Sequence, residues 1–329
     1  MDIHNLGSIT KIIYADFEYS SKYIYENFNK FINKESKSNN SKDNVQLTIE
    51  YKQINEILKN KTIPKNDEIL VVNSLFKENL KQSNKLNVLN TLKNLLDDNI
   101  RVIILASKSF SELIELYEEE HNNRKAILLL VDNLYHEDIS LDEQKLGEYV
   151  KYALKTKQIV VDKIEYNYFV HMNDLFKAIL TASQNINHGG IFFVAEPYSY
   201  SNYAIYLRLS VLLSKDIQLN AQVSQEDTVK SLPNVIPDWK ADISLDTGLE
   251  LILNRINTSS DRAIFIDEIT AIENEPIRNY TPAQRYKEKT QVSVKNIRYS
   301  DFDSIRSKFD NNNESVGLFS KLKKKLFGD

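Results

Sequence analysis

Five short strand-like runs organise the first half of the chain: the β-branched ITKIIY (9–14), the alternating VQLTIEY (45–51), and the apolar EILVVN (68–73), RVIILA (101–106) and KAILLLV (125–131). Between them lie segments with helical spacing. After a turn at 15–21 an amphipathic pattern runs to residue 31, and a short helical piece covers 54–59. Leu86, Leu89, Leu92, Leu95 and Leu96 recur on one face of a helix over 80–97, and Phe110, Leu113, Ile114 and Tyr117 on one face of another over 107–120. Polar segments at 34–43 and 64–67 break the pattern. Runs that are apolar throughout, alternating with helices, predict parallel strands covered on both faces. Right-handed crossovers then give an α/β fold with a Rossmann-like, doubly wound sheet.

The second half reads differently. Helices are expected over 141–156, 173–183, 201–213 and 246–254, with short strands at 158–162, 168–171 and 191–195. These pieces are too short for a core of their own, so residues from about 138 to 254 are expected to form a small α+β lobe, within one domain of residues 1–260. A polar linker follows over 261–313, with a strand at 263–272 and a helix near 299–309, and then a distinct tail over 314–329.

Composition narrows the chemistry. The net charge of −4 gives no basic character for nucleic acid, and none is expected as a partner. The absence of cysteine excludes disulfides, thiolate catalysis and cysteine-held zinc. The polar start MDIHNLGS does not read as a signal peptide, and no run approaches the roughly 18 apolar residues of a spanning helix. A cytoplasmic chain is expected. Seven glycines in 329 residues are few for a fold that cradles dinucleotides in glycine-rich loops.

Four segments resemble the extended short-chain dehydrogenase/reductases that act on nucleotide sugars. LNVLNTLKNLLDDNIRVIILAS (86–107) is similar to the family's helix and strand leading to the active-site serine. KAILLLVDNLYHE (125–137) is similar to the strand ending in Asn-x-Tyr-Gly, with Asn133 and Tyr135 kept and His136 replacing the glycine. Residues 149–182 resemble the lobe with its "fvhv-D" helix, and 231–253 resemble the closing segment, with Asp246-Thr247-Gly248-Leu249. The resemblance implies a dinucleotide at the first turn, a Tyr-x-x-x-Lys pair and an arginine on the sugar-nucleotide diphosphate. This chain departs at all three. The turn has no glycine and carries Asp16 and Glu18. Lys108 falls at the lysine position with Ile104 four residues earlier, and Asn167 stands where the arginine would be. A neutral amide cannot replace a bidentate, charge-assisted grip. No bound cofactor is therefore expected.

Single residues divide as follows. Asn133, Tyr135 and Lys108 form a candidate ligand edge at the carboxyl ends of the strands, where open α/β sheets bind ligands. Asp16 and Glu18 read as exposed loop acids, Tyr117 as a packing residue and Trp239 as an anchor of the closing loop. His171 reads as a structural strand residue. His4, His121, His136, His171 and His188 show no i,i+4 pairing, so no metal site is expected.

The tail VGLFSKLKKKLFGD differs from the acidic remainder. On a helix Leu318, Phe319, Leu322 and Leu326 share an arc of roughly 100°, with Phe327 beside it and Lys321, Lys323, Lys324 and Lys325 covering much of the rest. This C-terminal amphipathic helix reads as a membrane-surface anchor for anionic lipids, the alternative being a protein groove. One such tail binds weakly, so a homodimer or a membrane-bound protein partner is expected to add a second attachment.

Three readings of the job follow. The leading one is a non-catalytic epimerase-like scaffold or regulator, peripheral at the inner face of a bacterial membrane and beside envelope-polysaccharide assembly. The second is an active NAD(P)-dependent nucleotide-sugar epimerase or reductase with an atypical site. The third is a nucleotide-sugar sensor without turnover.

Overall fold

In the computed structural model the described residues are 9–17, 22–38, 47–60, 64–75, 82–97, 100–119, 125–155, 158–161, 165–214, 217–221 and 234–258. They group into two compact units. The first takes residues 9–147, 167–199 and 234–255, the second 148–166, 200–221 and 256–258. The expected strand at 263–272, the helix near 299–309 and the tail 314–329 lie outside the described residues.

The first unit is built on β1 (Lys11–Asp16), α1 (Lys22–Ser38), β2 (Thr48–Gln53), α2 (Ile54–Asn60), β3 (Glu68–Ser74), α3 (Gln82–Asp97), β4 (Val102–Ser107), α4 (Ser111–Glu119) and β5 (Ala126–Val131). The chain continues through β6 (Leu134–Tyr135), α5 (Lys145–Lys155), β7 (Gln158–Val161), β8 (Tyr166–Asn167), β9 (Val170–His171), α6 (Met172–Gln184) and β10 (Gly190–Val194). Last come β11 (Tyr200–Ser201), α7 (Asn202–Leu212), β12 (Gln218–Ala221) and α8 (Leu245–Thr258). Six strands form one sheet in the order β10-β5-β4-β3-β1-β2, with every neighbouring pair parallel.

Both faces of the inner strands are covered, which is why β3, β4 and β5 lack polar alternation, whereas edge strand β2 is only partly buried and alternates. On one face Ile12, Tyr14, Ile69, Val71, Ile103 and Leu105 pack under α1 and α6. Ile24, Phe28 and Ile32, four apart, give α1 its buried stripe, and Phe28 stacks on Phe176 of α6 at 5.0 Å between ring centroids. On the other face Ile13, Leu70, Val72, Ile104 and Leu128 meet Ile57 of α2, Val88 and Leu92 of α3, and Leu113 of α4. Each fully buried side chain of this size contributes roughly 1.5–3 kcal/mol, so the two faces supply most of the stabilisation.

Three expectations change. Ala15 and Asp16 belong to β1 rather than to the turn, because the sheet hydrogen bonding continues to the Asp16–Asn73 pair. The first helix extends to Ser38 through a polar stretch. The strand expected in the lobe is β10, the sixth strand of the main sheet, paired in register with β5.

The closing loop is tied down at α6. Trp239 is buried and donates its indole N–H to Asp174 O at 3.2 Å, while Asp174 Oδ2 accepts from Ile243 N at 2.9 Å. The chain then enters α8, where Gly248 lies directly against the ring and hydroxyl of buried Tyr135.

The second unit holds the parallel pair β7–β12 and a tyrosine cluster in which Tyr206 meets Tyr149 at 5.2 Å and Tyr152 at 6.0 Å. Arg208 sits over Tyr200, 4.9 Å from its centroid.

The Gly248 contact makes the first prediction. A methyl group there collides with Tyr135, which is held on all sides, and overpacking of this kind costs about 1–3 kcal/mol. Replacing a helical glycine by alanine returns only roughly 1 kcal/mol. Gly248→Ala is therefore expected to lower the thermal midpoint, measured by circular dichroism; an unchanged or raised midpoint contradicts the packing described.

Candidate functional site at the carboxyl edge

The chain leaves β1 in one direction to β2 and crosses back to β3, so the strand order reverses between β1 and β3. In open α/β sheets the crevice outside such a reversal is the usual ligand site. Here it is lined by the last residues of the three strands. Asp16 stands opposite Asn73 on β3 and Gln53 on β2, and Tyr14 stands opposite Tyr51.

Asp16 is 1% exposed. Its Oδ1 accepts from Asn73 Nδ2 at 2.9 Å, and Asn73 Oδ1 in turn accepts from Leu75 N at 3.0 Å. Asp16 Oδ2 and the Tyr14 hydroxyl are buried without a hydrogen-bond partner. Tyr25 of α1 packs on Tyr14 at 5.8 Å and on Tyr51 at 4.8 Å, roofing the cluster with aromatic rings. Burial pushes the Asp16 carboxyl up to about 6, against the nearby Asn73 amide and Tyr51 hydroxyl, which pull it down. Burial, with the charge of Asp16, raises the Tyr14 phenol. The expectation of an exposed loop acid at Asp16 is thus corrected; Glu18 lies outside the described residues. The missed signal was strand phase: Ile12, Tyr14 and Asp16 share one face.

Further along the edge, Lys108 follows β4 and pairs with Asp132 after β5 at 2.5 Å. Its ammonium lies 5.2 Å from the Tyr168 ring centroid and 5.8 Å from that of Phe193, with 41% of the side chain exposed. Asn133 adopts a left-handed backbone, φ +39°, a conformation that Asn tolerates better than most residues, and donates from Nδ2 to Tyr168 O at 2.8 Å. The fold therefore brings Lys108 and Asn133 to the same edge. Tyr135 does not join them. Placed with them on sequence grounds, it is corrected to the interior: it is 1% exposed, edge-on to His171 at 5.2 Å, and its phenol is raised by burial and by the charges of Glu196, Asp174 and Glu137. Tyr117 sits at the opposite, amino edge of the sheet, donating to Ala126 O at 2.6 Å and accepting from Gly190 N at 2.9 Å.

A third group joins residues far apart in sequence. His136, Glu137 and His171 bring ligand-type atoms within 4.8 Å of one another, a donor set chemically suited to zinc. Their hydrogen bonds oppose a metal. His136 Nδ1 accepts from Asp138 N at 3.1 Å, and His171 Nδ1 accepts from Asn173 N at 3.2 Å as the N-cap of α6. Neutral imidazoles accepting at Nδ1 carry their proton on Nε2, whereas a metal held at Nε2 requires the reverse tautomer and a second-shell acceptor at Nδ1. Both Nε2 atoms instead face Glu137 Oε2, at 3.0 Å from His171 and 3.6 Å from His136. The His171 hydrogen bond leads in holding the Glu137 carboxyl down to about 2, while burial holds the His136 imidazole below its ordinary value. Gln144 fastens the same loop, accepting from His136 N at 3.2 Å and donating to Ile139 O at 2.9 Å. The group is a hydrogen-bonded clamp between the loop after β6 and the start of α6.

The doubly wound parallel sheet with flanking helices defines a Rossmann-like α/β fold. Comparison with solved structures shows the same fold in nucleotide-sugar epimerases and dehydratases. The ADP-L-glycero-D-manno-heptose-6-epimerase of Helicobacter pylori matches at 14% identity with a TM-score of 0.54, covering 79% of this chain and 98% of the other. The UDP-N-acetylglucosamine 4-epimerase of Bacillus cereus matches at 12% and 0.52, covering 74% and 99%. The dTDP-glucose 4,6-dehydratase of Bacillus anthracis, solved in complex with NAD, matches at 12% and 0.52, covering 76% and 98%. No protein-family model matches the sequence, and no curated protein does. The expectation of a non-catalytic chain is corrected by these matches, because the proteins that share its fold are named as enzymes.

A dinucleotide of the kind seen in the dehydratase needs its diphosphate to come close to the end of the first strand. That place here holds a buried acid whose second oxygen already lacks a donor, and the groups acting on it are burial, an amide and a phenol, with no cation among them. With Asp16 ionised, the described residues do not fit a diphosphate there.

The raised pKa fixes a stability prediction. The native state holds the Asp16 proton more firmly than the unfolded chain, so this contribution is full below 3.8 and is lost as pH rises through about 6. Asp16→Asn is expected to match the wild type near pH 4 and to exceed it by up to about 3 kcal/mol near pH 8 in urea denaturation. A difference that does not change with pH contradicts a buried titrating Asp16.

Proposed function

We propose that this chain is an enzyme acting on a nucleotide-linked sugar, with an atypical site at the carboxyl ends of β4 and β5. The observation that carries the reading is Lys108: a part-exposed cation at the carboxyl edge, set over Tyr168 and Phe193 and balanced by Asp132. An ammonium there suits a phosphate oxygen, and Asp132 and Asn133 beside it suit sugar hydroxyls. The names of the proteins sharing the fold support the substrate class. Because a diphosphate does not fit beside ionised Asp16, the roles assigned to this chain's residues are to bind and orient.

A panel of nucleotide sugars tests this by thermal shift, with chromatography of the products. At least one is expected to stabilise the protein and to be converted. Lys108→Met is expected to weaken binding by about tenfold or more, the worth of one charge-assisted hydrogen bond. Stabilisation without product supports a sensor; no shift at all, or equal binding by the variant, contradicts the site.

We further propose that residues 314–329 attach the protein to the inner face of the cell membrane through anionic lipids. The support is the sequence pattern, with Leu318, Phe319, Leu322, Leu326 and Phe327 apolar and Lys321, Lys323, Lys324 and Lys325 basic. Each lysine near such a surface is worth about 1 kcal/mol, which makes one tail a reversible anchor and gives a second copy or a membrane-bound partner the task of strengthening it. Among the described residues no helix is long and apolar enough to cross a membrane. Full-length protein is expected to pellet with phosphatidylglycerol-containing vesicles and a chain ending at Asn313 to stay in the supernatant. Equal pelleting removes the anchor.

A further inference from the structure

We infer that Asp16 is a specificity gate at the switch point of the sheet: as a carboxylate it turns a diphosphate away, and as a neutral acid it admits one. The inference rests on the reading above that the carboxyl edge is the ligand face.

Asp16 ends β1 at the reversal of strand order, and its register partners Asn73 and Gln53 are the corresponding residues of β3 and β2. Asn73 donates to it at Oδ1, the Tyr51 hydroxyl nearby also favours its charged form, and Oδ2 is buried without a hydrogen-bond partner of good geometry. Groups from five elements surround it. From β1 comes the phenol of Tyr14, from β2 Tyr51 with Gln53 bonded to its hydroxyl at 2.6 Å, from β3 Asn73, from α1 the ring of Tyr25, and from α2 the charge of Glu56 acting on Tyr51. Every titratable group in that set is acidic. Among the described residues around Asp16, a diphosphate reaching the crevice therefore meets like charge with no cation to offset it.

The magnitude is large enough to decide binding. Unit charges of like sign some 7 Å apart, in the effective dielectric of a protein near its surface, lower affinity by about one to two orders of magnitude. The carboxyl titrates at about 6, so the gate changes state within an accessible pH range. Asn73 tunes it, since an amide donating to the carboxylate favours the charged, closed state.

Calorimetric titration of the full-length protein with NAD⁺ tests the gate, because the diphosphate of NAD⁺ keeps its charge across the range used. The wild type is expected to bind at least about tenfold more tightly near pH 5 than near pH 8. Asp16→Asn is expected to bind with the tighter affinity at both values, with folding checked by its thermal midpoint. Asn73→Ser, which removes an amide and leaves the acid, is expected to move the midpoint of the wild-type pH profile upward. Equal wild-type affinity at the two pH values overturns the inference. So does a pH dependence that survives in Asp16→Asn, or an absence of NAD⁺ binding in both proteins throughout. In that last case nucleotide-sugar binding that persists leaves the edge reading standing, and its absence takes the edge reading down as well.

Discussion

The hydrogen bond from Asn73 to Asp16 joins β1 to β3 at the point where the strand order turns back, and the character of the crevice follows from it. A parallel sheet whose inner strands are covered on both faces leaves ligands the ends of those strands. At the reversal those ends meet a carboxyl that the fold has removed from water and supplied with few donors, one oxygen being left without a partner. Burying an acid in this way opposes folding wherever the acid is charged, and most of a protein's acids avoid it. A buried acid with one unpartnered oxygen at the reversal of strand order is the physical reason to read Asp16 as functional.

Three buried or half-buried carboxyls in the first unit show how supply of donors sets behaviour. Glu137 faces the N–H groups of two imidazoles and is held down to about 2. Asp174 receives a main-chain N–H from Ile243 and lies 3.6 Å from Lys177, yet burial still raises it. Asp16 has one amide and reaches about 6. The first two fasten loops, Glu137 to the start of α6 and Asp174 to the segment that carries Trp239. Asp16 fastens no loop of this kind; its partners stand on the neighbouring strands, Asn73 on β3 and Tyr51 on β2.

Much of the architecture is legible in the sequence because buried parallel strands write themselves as unbroken apolar runs, and 68–73, 101–106 and 125–131 fall where β3, β4 and β5 form. Trp239 is legible too, as the single tryptophan between prolines and a helix. The order of the strands is not, since it depends on which crossover lies on which face. Asp16 escapes notice because an acid followed by Phe17 and Glu18 has the composition of a turn, and only the backbone pairing to Asn73 shows that the strand continues. The clamp escapes for another reason. His136 and His171 are 35 residues apart, and no periodicity links them before the β6–β9 pair brings Tyr135 opposite His171. Residue spacing finds sites on one element; sites made by strand pairing need the topology.

The account stands most directly on the ionisation of one side chain. Carbon-detected NMR of the aspartate carboxyls, with Asp16 assigned by its substitution to Asn, reads that ionisation in the folded protein. The account predicts a midpoint at about 6 for Asp16. A midpoint at the ordinary aspartate value of about 4 contradicts it, because a carboxyl that titrates there is either solvated or fully partnered.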